Sequence, residues 1–243
     1  MVKKIIYYNR KLTSLFVDLS NYMFGNISNY EDYFFSHINN EFKSKTILEL
    51  GGTNRPLFSK SKVNNYIGID VDETFNSKDV YHKYFIQSCE VFNDNIKADL
   101  IVSKYLLEHV PDNSKTFNNI ERWLNPNGLS VNLFPLGFHP FSITNRLVGN
   151  RVARFLIPIL RPESKGITGY PAYYNLCNSF ALEKIAKKSK FNYKIKYFFG
   201  AEDYFGFFFP FGIIVHILNR IFNLFRLNIF ASNAILVISE QNS

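Results

Sequence analysis

Short apolar runs, each closed by small or polar residues, set the rhythm of the first half of the chain. Thr46-Ile47-Leu48-Glu49-Leu50 runs into Gly51-Gly52, and Tyr66-Ile67-Gly68-Ile69-Asp70 ends on an acid. Ala98-Asp99-Leu100-Ile101-Val102-Ser103 is a third run, and Leu129 to Phe134 follows the turn signal Asn125-Pro126-Asn127-Gly128. Runs of this length predict buried parallel strands, because a strand covered on both faces has no polar side to alternate with. Between the last two runs, Phe117, Ile120, Trp123 and Leu124 recur at helical spacing, with Asp112 or Asn113 placed to cap the start after Pro111. Strand, helix, strand is the βαβ unit. Repeated, it predicts an α/β fold with a doubly wound sheet, whose ligand crevice lies at the carboxyl ends of the strands.

The flanks carry a different pattern. Residues 1–44 place Leu12, Leu15, Phe16 and Leu19, then Tyr30, Tyr33, Phe34 and Ile38, at helical spacing, which predicts two lead-in helices. Residues 135–175 are rich in Pro, Gly and aromatics. A helix is predicted over 178–189, opened by Asn178 or Ser179, with closing strands at Tyr193 to Phe199 and Ser232 to Ser239. The expected organisation is a helical lead-in over 1–44 and one α/β domain over 45–243, with 135–230 as an elaboration of its second half.

Composition narrows this picture. With 243 residues and 47% hydrophobic content there is enough apolar material for one sizeable core, which excludes a disordered chain. The formal charge of +8 permits attraction to anionic lipid, phosphate or nucleic acid. Nucleic acid is not favoured, because the basic residues are scattered and no recognition motif accompanies them. Cys89 and Cys177 stand far apart without a CxxC or a neighbouring His, so no metal site or disulfide framework is indicated. Lys3-Lys4 is not followed by the apolar stretch of a signal peptide, and the expected location is cytoplasmic.

The stretch Phe205 to Leu227 is the most apolar of the chain, yet Pro210 interrupts it and its uncharged part ends at Asn219-Arg220. A spanning helix needs about 20 apolar residues. The stretch therefore predicts an interfacial helix, with Arg220 and Arg226 meeting anionic headgroups and the protein associating peripherally with a membrane; a buried helix or a dimer surface is the alternative.

A nucleoside cofactor needs a tight small-residue turn, a carboxylate for the ribose diol and an apolar slot for the base. Glu49-Leu50-Gly51-Gly52-Thr53-Asn54 offers the turn, and Asp70 follows Glu49 by about 20 residues, the spacing of a ribose-binding acid. Together with Gly68-Ile69-Asp70 and the segment Ser103-Lys104-Tyr105-Leu106-Leu107-Glu108-His109-Val110-Pro111-Asp112, these motifs resemble the class I S-adenosylmethionine (SAM) dependent methyltransferases, of the type 11 kind. The Leu-Glu-His-Val segment is the most specific of them, since it directly follows the Asp-Leu-Ile-Val strand and precedes a helix, a Trp-Leu and the Asn-Pro-Asn-Gly turn. The resemblance covers roughly residues 45 to 135.

The resemblance implies a Rossmann-like sheet of seven strands with helices on both faces, and SAM as the cofactor, with no metal. The backbone at Gly51 and Gly52 would pass the methionine moiety and Glu49 would anchor its amino group. Asp70 would accept from both ribose hydroxyls. Gln87 or Ser88 stands nearest to the adenine position, and Ser103, Leu106 and Glu108 would border the methyl donor. The glycine loop departs from the family's Glu/Asp-x-Gly-x-Gly-x-Gly. With one residue deleted, Gly52 supplies the second glycine and Asn54 the third, a residue that tolerates left-handed backbone. Read without a gap, the second and third glycines become Thr53 and Arg55, which points to a catalytically silent SAM-binding or scaffold protein of the same fold.

On the acceptor side, His139 in Gly137-Phe138-His139-Pro140 is the candidate general base for an alcohol acceptor. Tyr170-Pro171-Ala172-Tyr173-Tyr174 and the arginines 146, 151, 154 and 161 are candidates to line the acceptor pocket. His139-Pro140, the tyrosine segment and the aromatic C-terminal region resemble methyltransferases of bacterial surface-glycan and lipid biosynthesis. That resemblance implies O-methylation of a glycan, a lipid-linked sugar or a lipid-like small molecule.

Overall fold

The structure is a computed structural model that describes residues 2–38, 45–52, 55–72, 79–148 and 171–240. The chain divides into two compact units. The larger comprises Tyr30–Pro135, Ala172–Lys196 and Ala234–Ser243; the smaller comprises Met1–Asn29, Leu136–Pro171 and Tyr197–Asn233. The predicted lead-in is thus shared between them. Helix α1 (Val2–Phe24) belongs to the smaller unit, and α2 (Tyr30–His37) groups with the sheet, its Phe34 fully buried.

The larger unit is built on a seven-stranded sheet. Its strands are β1 (Thr46–Leu50), β2 (Asn65–Asp70), β3 (Lys83–Ile86), β4 (Ala98–Lys104), β5 (Leu124–Pro135), β6 (Phe191–Phe198) and β7 (Asn233–Glu240), in the order β3-β2-β1-β4-β5-β7-β6. Strands β1 to β5 pair in parallel, with Leu50 beside Ile69 and Ser103 and Asp70 beside Ile86. Strand order reverses between β1 and β4. That switch opens a crevice at the carboxyl ends of the strands, because the connections leave the sheet on opposite faces there.

The apolar runs behave as expected. Ile47, Leu48, Leu100, Ile101, Val102, Val131 and Leu133 are fully buried. Helix α3 (Asn113–Trp123) packs on β5 and is capped by Asp112, whose side chain accepts from the N–H groups of Ser114 and Lys115; α5 (Ser179–Lys188) is capped by Asn178, which accepts from the Ala181 N–H.

Two local readings change. Asn125-Pro126-Asn127-Gly128 is not a turn before a strand but an irregularity inside β5, where Asn127 takes φ 60° and the register with β4 shifts between Ala98 and Leu100. Strand β3 escapes the pattern because Lys83-Tyr84-Phe85-Ile86 is an edge strand with no buried face.

The smaller unit contains α1, α4 (Pro140–Val148), the one-turn helix α6 (Glu202–Phe205) and α7 (Phe209–Leu224). Helix α1 packs against α6 and α7, and α6 against α7. Among the described residues no helix is long and apolar enough to cross a membrane.

Candidate cofactor site at the carboxyl edge of the sheet

The turn leaving β1 is shaped by close approach. Gly51 takes φ 76° and donates its N–H to Ile69 O at 3.0 Å, and a Cβ there would lie 2.8 Å from Leu106 Cδ1. The left-handed conformation and the contact both require glycine. A Cβ on Gly52 would collide with the Glu49 carboxyl and come within 2.6 Å of the Tyr81 hydroxyl. Glycine is therefore required at both positions by the close packing of Leu106, Glu49 and Tyr81 against the end of β1. Thr53 and the predicted site residue Asn54 lie outside the described residues.

Glu49 corrects its expected role. Its carboxyl is buried and accepts hydrogen bonds from the Tyr66 hydroxyl, the Tyr81 hydroxyl at 3.1 Å and the Leu57 N–H at 3.3 Å from each oxygen. A group engaged on this scale braces the loop from beneath and leaves no open carboxylate for an amino group. Burial pushes its pKa up to about 8, against the Leu57 and Tyr81 hydrogen bonds, with the neighbouring Asp70 charge adding to the rise. Tyr81 reaches Glu49 by lying across Gly68, where a Cβ would meet the Tyr81 and Tyr84 rings at 2.9 Å.

Asp70 ends β2 half-exposed. Its Oδ1 accepts the Asp72 N–H at 3.1 Å, and partial burial raises its pKa. Its carbonyl accepts the Gln87 N–H at 2.8 Å, which fixes the exit of β3 beside it; Gln87 is exposed and Ser88 half-buried, opening the next turn through its carbonyl. Asp70, the bare turn and Gln87-Ser88 thus occupy one edge of the sheet.

After β4 the chain turns sharply. Tyr105 takes φ 57°, Leu106 lies on Gly51, and Leu107–His109 forms a single 3-10 turn. Ser103 corrects its predicted role as a cofactor contact: it is fully buried within the sheet and donates to Asn132 Oδ1 at 2.8 Å. Glu108 is buried too, and its pKa is pushed up to about 8 by burial. Its backbone carbonyl accepts the N–H groups of Tyr173 and Tyr174 at 2.7 and 3.0 Å, while its Oε2 has no hydrogen-bond partner among the described residues. Glu108 therefore shapes the loop from inside. Sequence reasoning missed Tyr66 and Tyr81 beneath the turn, and Glu31 of α2, which pairs with Lys104 at 2.7 Å. Only the aromatic residues at the start of β2 and just before β3 hinted at the first two.

His139, in the smaller unit, contradicts its reading as a general base. It is 1% exposed; Nδ1 accepts the Phe141 N–H at 3.1 Å and Nε2 lies 3.3 Å from Asn219 Oδ1. With Nδ1 accepting, the proton sits on Nε2 and points at Asn219, so no lone pair remains to take a proton. Burial lowers its pKa to about 4, against the Asn219 hydrogen bond and the Glu202 charge. Of the arginines, Arg146 holds its own loop by donating to Gly137 O at 2.5 Å, whereas 151, 154 and 161, and Tyr170, lie outside the described residues.

Strand order, the bare turn after β1 and the acid ending β2 define the class: a Rossmann-like α/β fold with a nucleoside-cofactor edge. The family model for the methyltransferase domain matches residues 22–191, and the chain belongs to that family. No curated protein matches the sequence. The fold is similar to phosphoethanolamine N-methyltransferase 2 of Haemonchus contortus, solved with phosphomonomethylethanolamine and S-adenosylhomocysteine, at TM-score 0.54 and 15% identity over 93% of this chain and 57% of that one. The chain spans little more than half the length of that enzyme. It is also similar to a SAM-dependent methyltransferase of Archaeoglobus fulgidus (TM-score 0.51, 12% identity, 84% of this chain and 90% of that one). A third similarity is to geranyl diphosphate C-methyltransferase of Streptomyces coelicolor (TM-score 0.52, 9% identity, 86% and 77%). These likenesses establish the class I methyltransferase fold.

Proposed function

We propose that this chain transfers a methyl group from SAM to a hydroxyl of a glycan, lipid-linked sugar or lipid-like small molecule. The observation that carries the donor half is the half-exposed Asp70 carboxylate ending β2 beside the bare Gly51-Gly52 turn. This edge fits SAM. Asp70 holds the ribose hydroxyls, Gly51 and Gly52 let the methionine portion lie against main chain, Leu106 packs beside it, and Gln87 and Ser88 border the adenine. When bound, SAM supplies an electrophilic methyl group; its S–CH3 bond breaks as the acceptor oxygen bonds the methyl, leaving S-adenosylhomocysteine, and the hydroxyl proton is released to solvent. The protein contributes alignment of the acceptor oxygen and exclusion of water.

The lipid side of the proposal is supported by the apolar residues 205–227, read as a peripheral membrane contact. Relatives of this fold carry out N- and C-methylation, so the acceptor atom is part of the proposal. A second reading, a silent SAM-binding scaffold, is favoured by the engagement of Glu49 with Tyr66 and Tyr81.

The test is incubation with methyl-labelled SAM and a cell extract, followed by separation into lipid-extractable and water-soluble glycan pools. Label in either pool at an ether methyl group supports the proposal, and label at an ester methyl group places the acceptor on a carboxylate and contradicts it. Binding of SAM without any transfer supports the scaffold, and label on nitrogen or carbon contradicts O-methylation.

A further inference from the structure

Helix α7 is turned inside out. Its buried residues, Gly212, His216 and Asn219, are small or polar, and most of its exposed residues are apolar. Gly212 lies on Thr13 of α1 so closely that a Cβ there would come within 2.5 Å of the threonine methyl. One turn on, His216 is buried, with Nδ1 2.8 Å from Glu202 Oε1 and Nε2 2.8 Å from Ser20 Oγ. Asn219 donates to Glu202 Oε1 at 3.3 Å, and Arg220 donates to Gly25 O at 2.7 Å and Asn21 Oδ1 at 2.8 Å, closing the end of α1. These contacts fix the rotation of α7. Its outward side carries Phe211, Ile214, Ile217, Ile221 and Leu224, all exposed, the last 74% so.

Helix α1 runs beside α7 in the same direction, Thr13 against Gly212 and Phe24 against Arg220. It shows the same inversion. Ile5, Leu12, Leu15, Leu19 and Tyr22 are exposed at steps of three, four and seven, a continuous stripe on one helix face, while the polar Thr13 is buried. Two adjacent helices with outward apolar stripes mark an interaction surface.

We infer that α1 and α7 together form a two-helix platform that seats in the interface of an anionic lipid bilayer. This rests on the membrane contact in the proposed function and extends it to α1, which the sequence pattern reads only as a lead-in helix. The charges choose the occupant. Exposed Lys4 and Lys11 flank the α1 stripe and exposed Arg226 follows α7, whereas α7 contains no acid and α1 a single one, Asp18, on the Lys11 edge. Anionic headgroups complement such a rim, with lysine stems lying along the apolar surface and their ammonium groups in the headgroup layer. A symmetric pairing of two copies through this face would instead bring like basic rims together.

The test is co-sedimentation of the full chain with vesicles of phosphatidylcholine containing phosphatidylglycerol, beside vesicles of phosphatidylcholine alone. Binding to the anionic vesicles is expected, falling roughly tenfold or more for Leu15→Gln with Leu19→Gln and, separately, for Phe211→Gln with Ile214→Gln. Lys4→Glu with Lys11→Glu leaves the apolar face intact and is expected to abolish the preference for anionic vesicles, which guards against a fold lost in the other variants. SAM binding, followed by calorimetry, stays unchanged in every variant; its absence in the parent overturns the methyltransferase reading without touching the platform. Parent protein that remains in the supernatant, or vesicle binding that survives the α1 pair, overturns the proposal. So does a stable dimer in light scattering that the same pairs dissociate while vesicles go unbound.

Discussion

Gly52 lies directly against the carboxyl of Glu49, and the Tyr81 hydroxyl closes the same space. The acid at the penultimate position of β1 therefore acts on the loop as a wall. Gly52→Ala has no room to be accepted without displacing Glu49 or Tyr81. Overpacking of this kind costs about 1–3 kcal/mol, and the variant is expected to melt lower and to bind SAM at least tenfold more weakly. Pairing it with Glu49→Asp withdraws the wall and is expected to recover part of the stability, which a thermal melt of the single and double variants measures.

Glu49 and Glu108 give stability a pH dependence of defined sign. Both folded-state pKa values are raised from 4.5 to about 8 by burial, so the folded state holds protons that the unfolded chain releases. Their stabilisation is complete below about pH 4.5 and is lost as pH rises toward 8, with a slope of at most about 1.4 kcal/mol per pH unit for each group. Melting temperature is expected to fall between pH 5 and 8. Glu108→Gln, which keeps the shape without the charge, is expected to flatten that fall; an unchanged slope would contradict the burial argument.

His139 is expected to behave as a loop brace. His139→Ala leaves the Phe141 N–H and Asn219 Oδ1 without their partner and should cost about 1–3 kcal/mol in a denaturant melt. Turnover per folded molecule and SAM affinity should stay within about threefold of the parent, where loss of a base would lower turnover roughly a hundredfold or more. Because its folded pKa is depressed to about 4, the stability it contributes is present above about pH 6.5 and is lost as pH falls toward 4.

Much of the donor half was legible in the chain, because β1, β2 and β4 are buried on both faces and read as unbroken apolar runs. Asp70 and Gly51 could be placed by their positions at strand ends. Ser103 could not. It shares a row with Leu50 and pairs with Asn132 of β5, and only the register shows that its hydroxyl is taken inside the sheet. The Glu49–Tyr81 pair joins residues 32 apart in sequence, beyond any local periodicity. The apolar block around α7 was visible, but its facing was not: the rule that apolar residues point inward fails there, since Gly212, His216 and Asn219 take the inner side.

The central claim is that the carboxyl edge of β1 and β2 holds SAM through Asp70, and isothermal titration of SAM into the parent protein and into Asp70→Ala tests it most directly. The account predicts saturable binding to the parent and a loss of about 1.5–3 kcal/mol in the variant, the range for hydrogen bonds to a charged group, or roughly 10- to 150-fold in Kd. Equal affinity in the two proteins would contradict it.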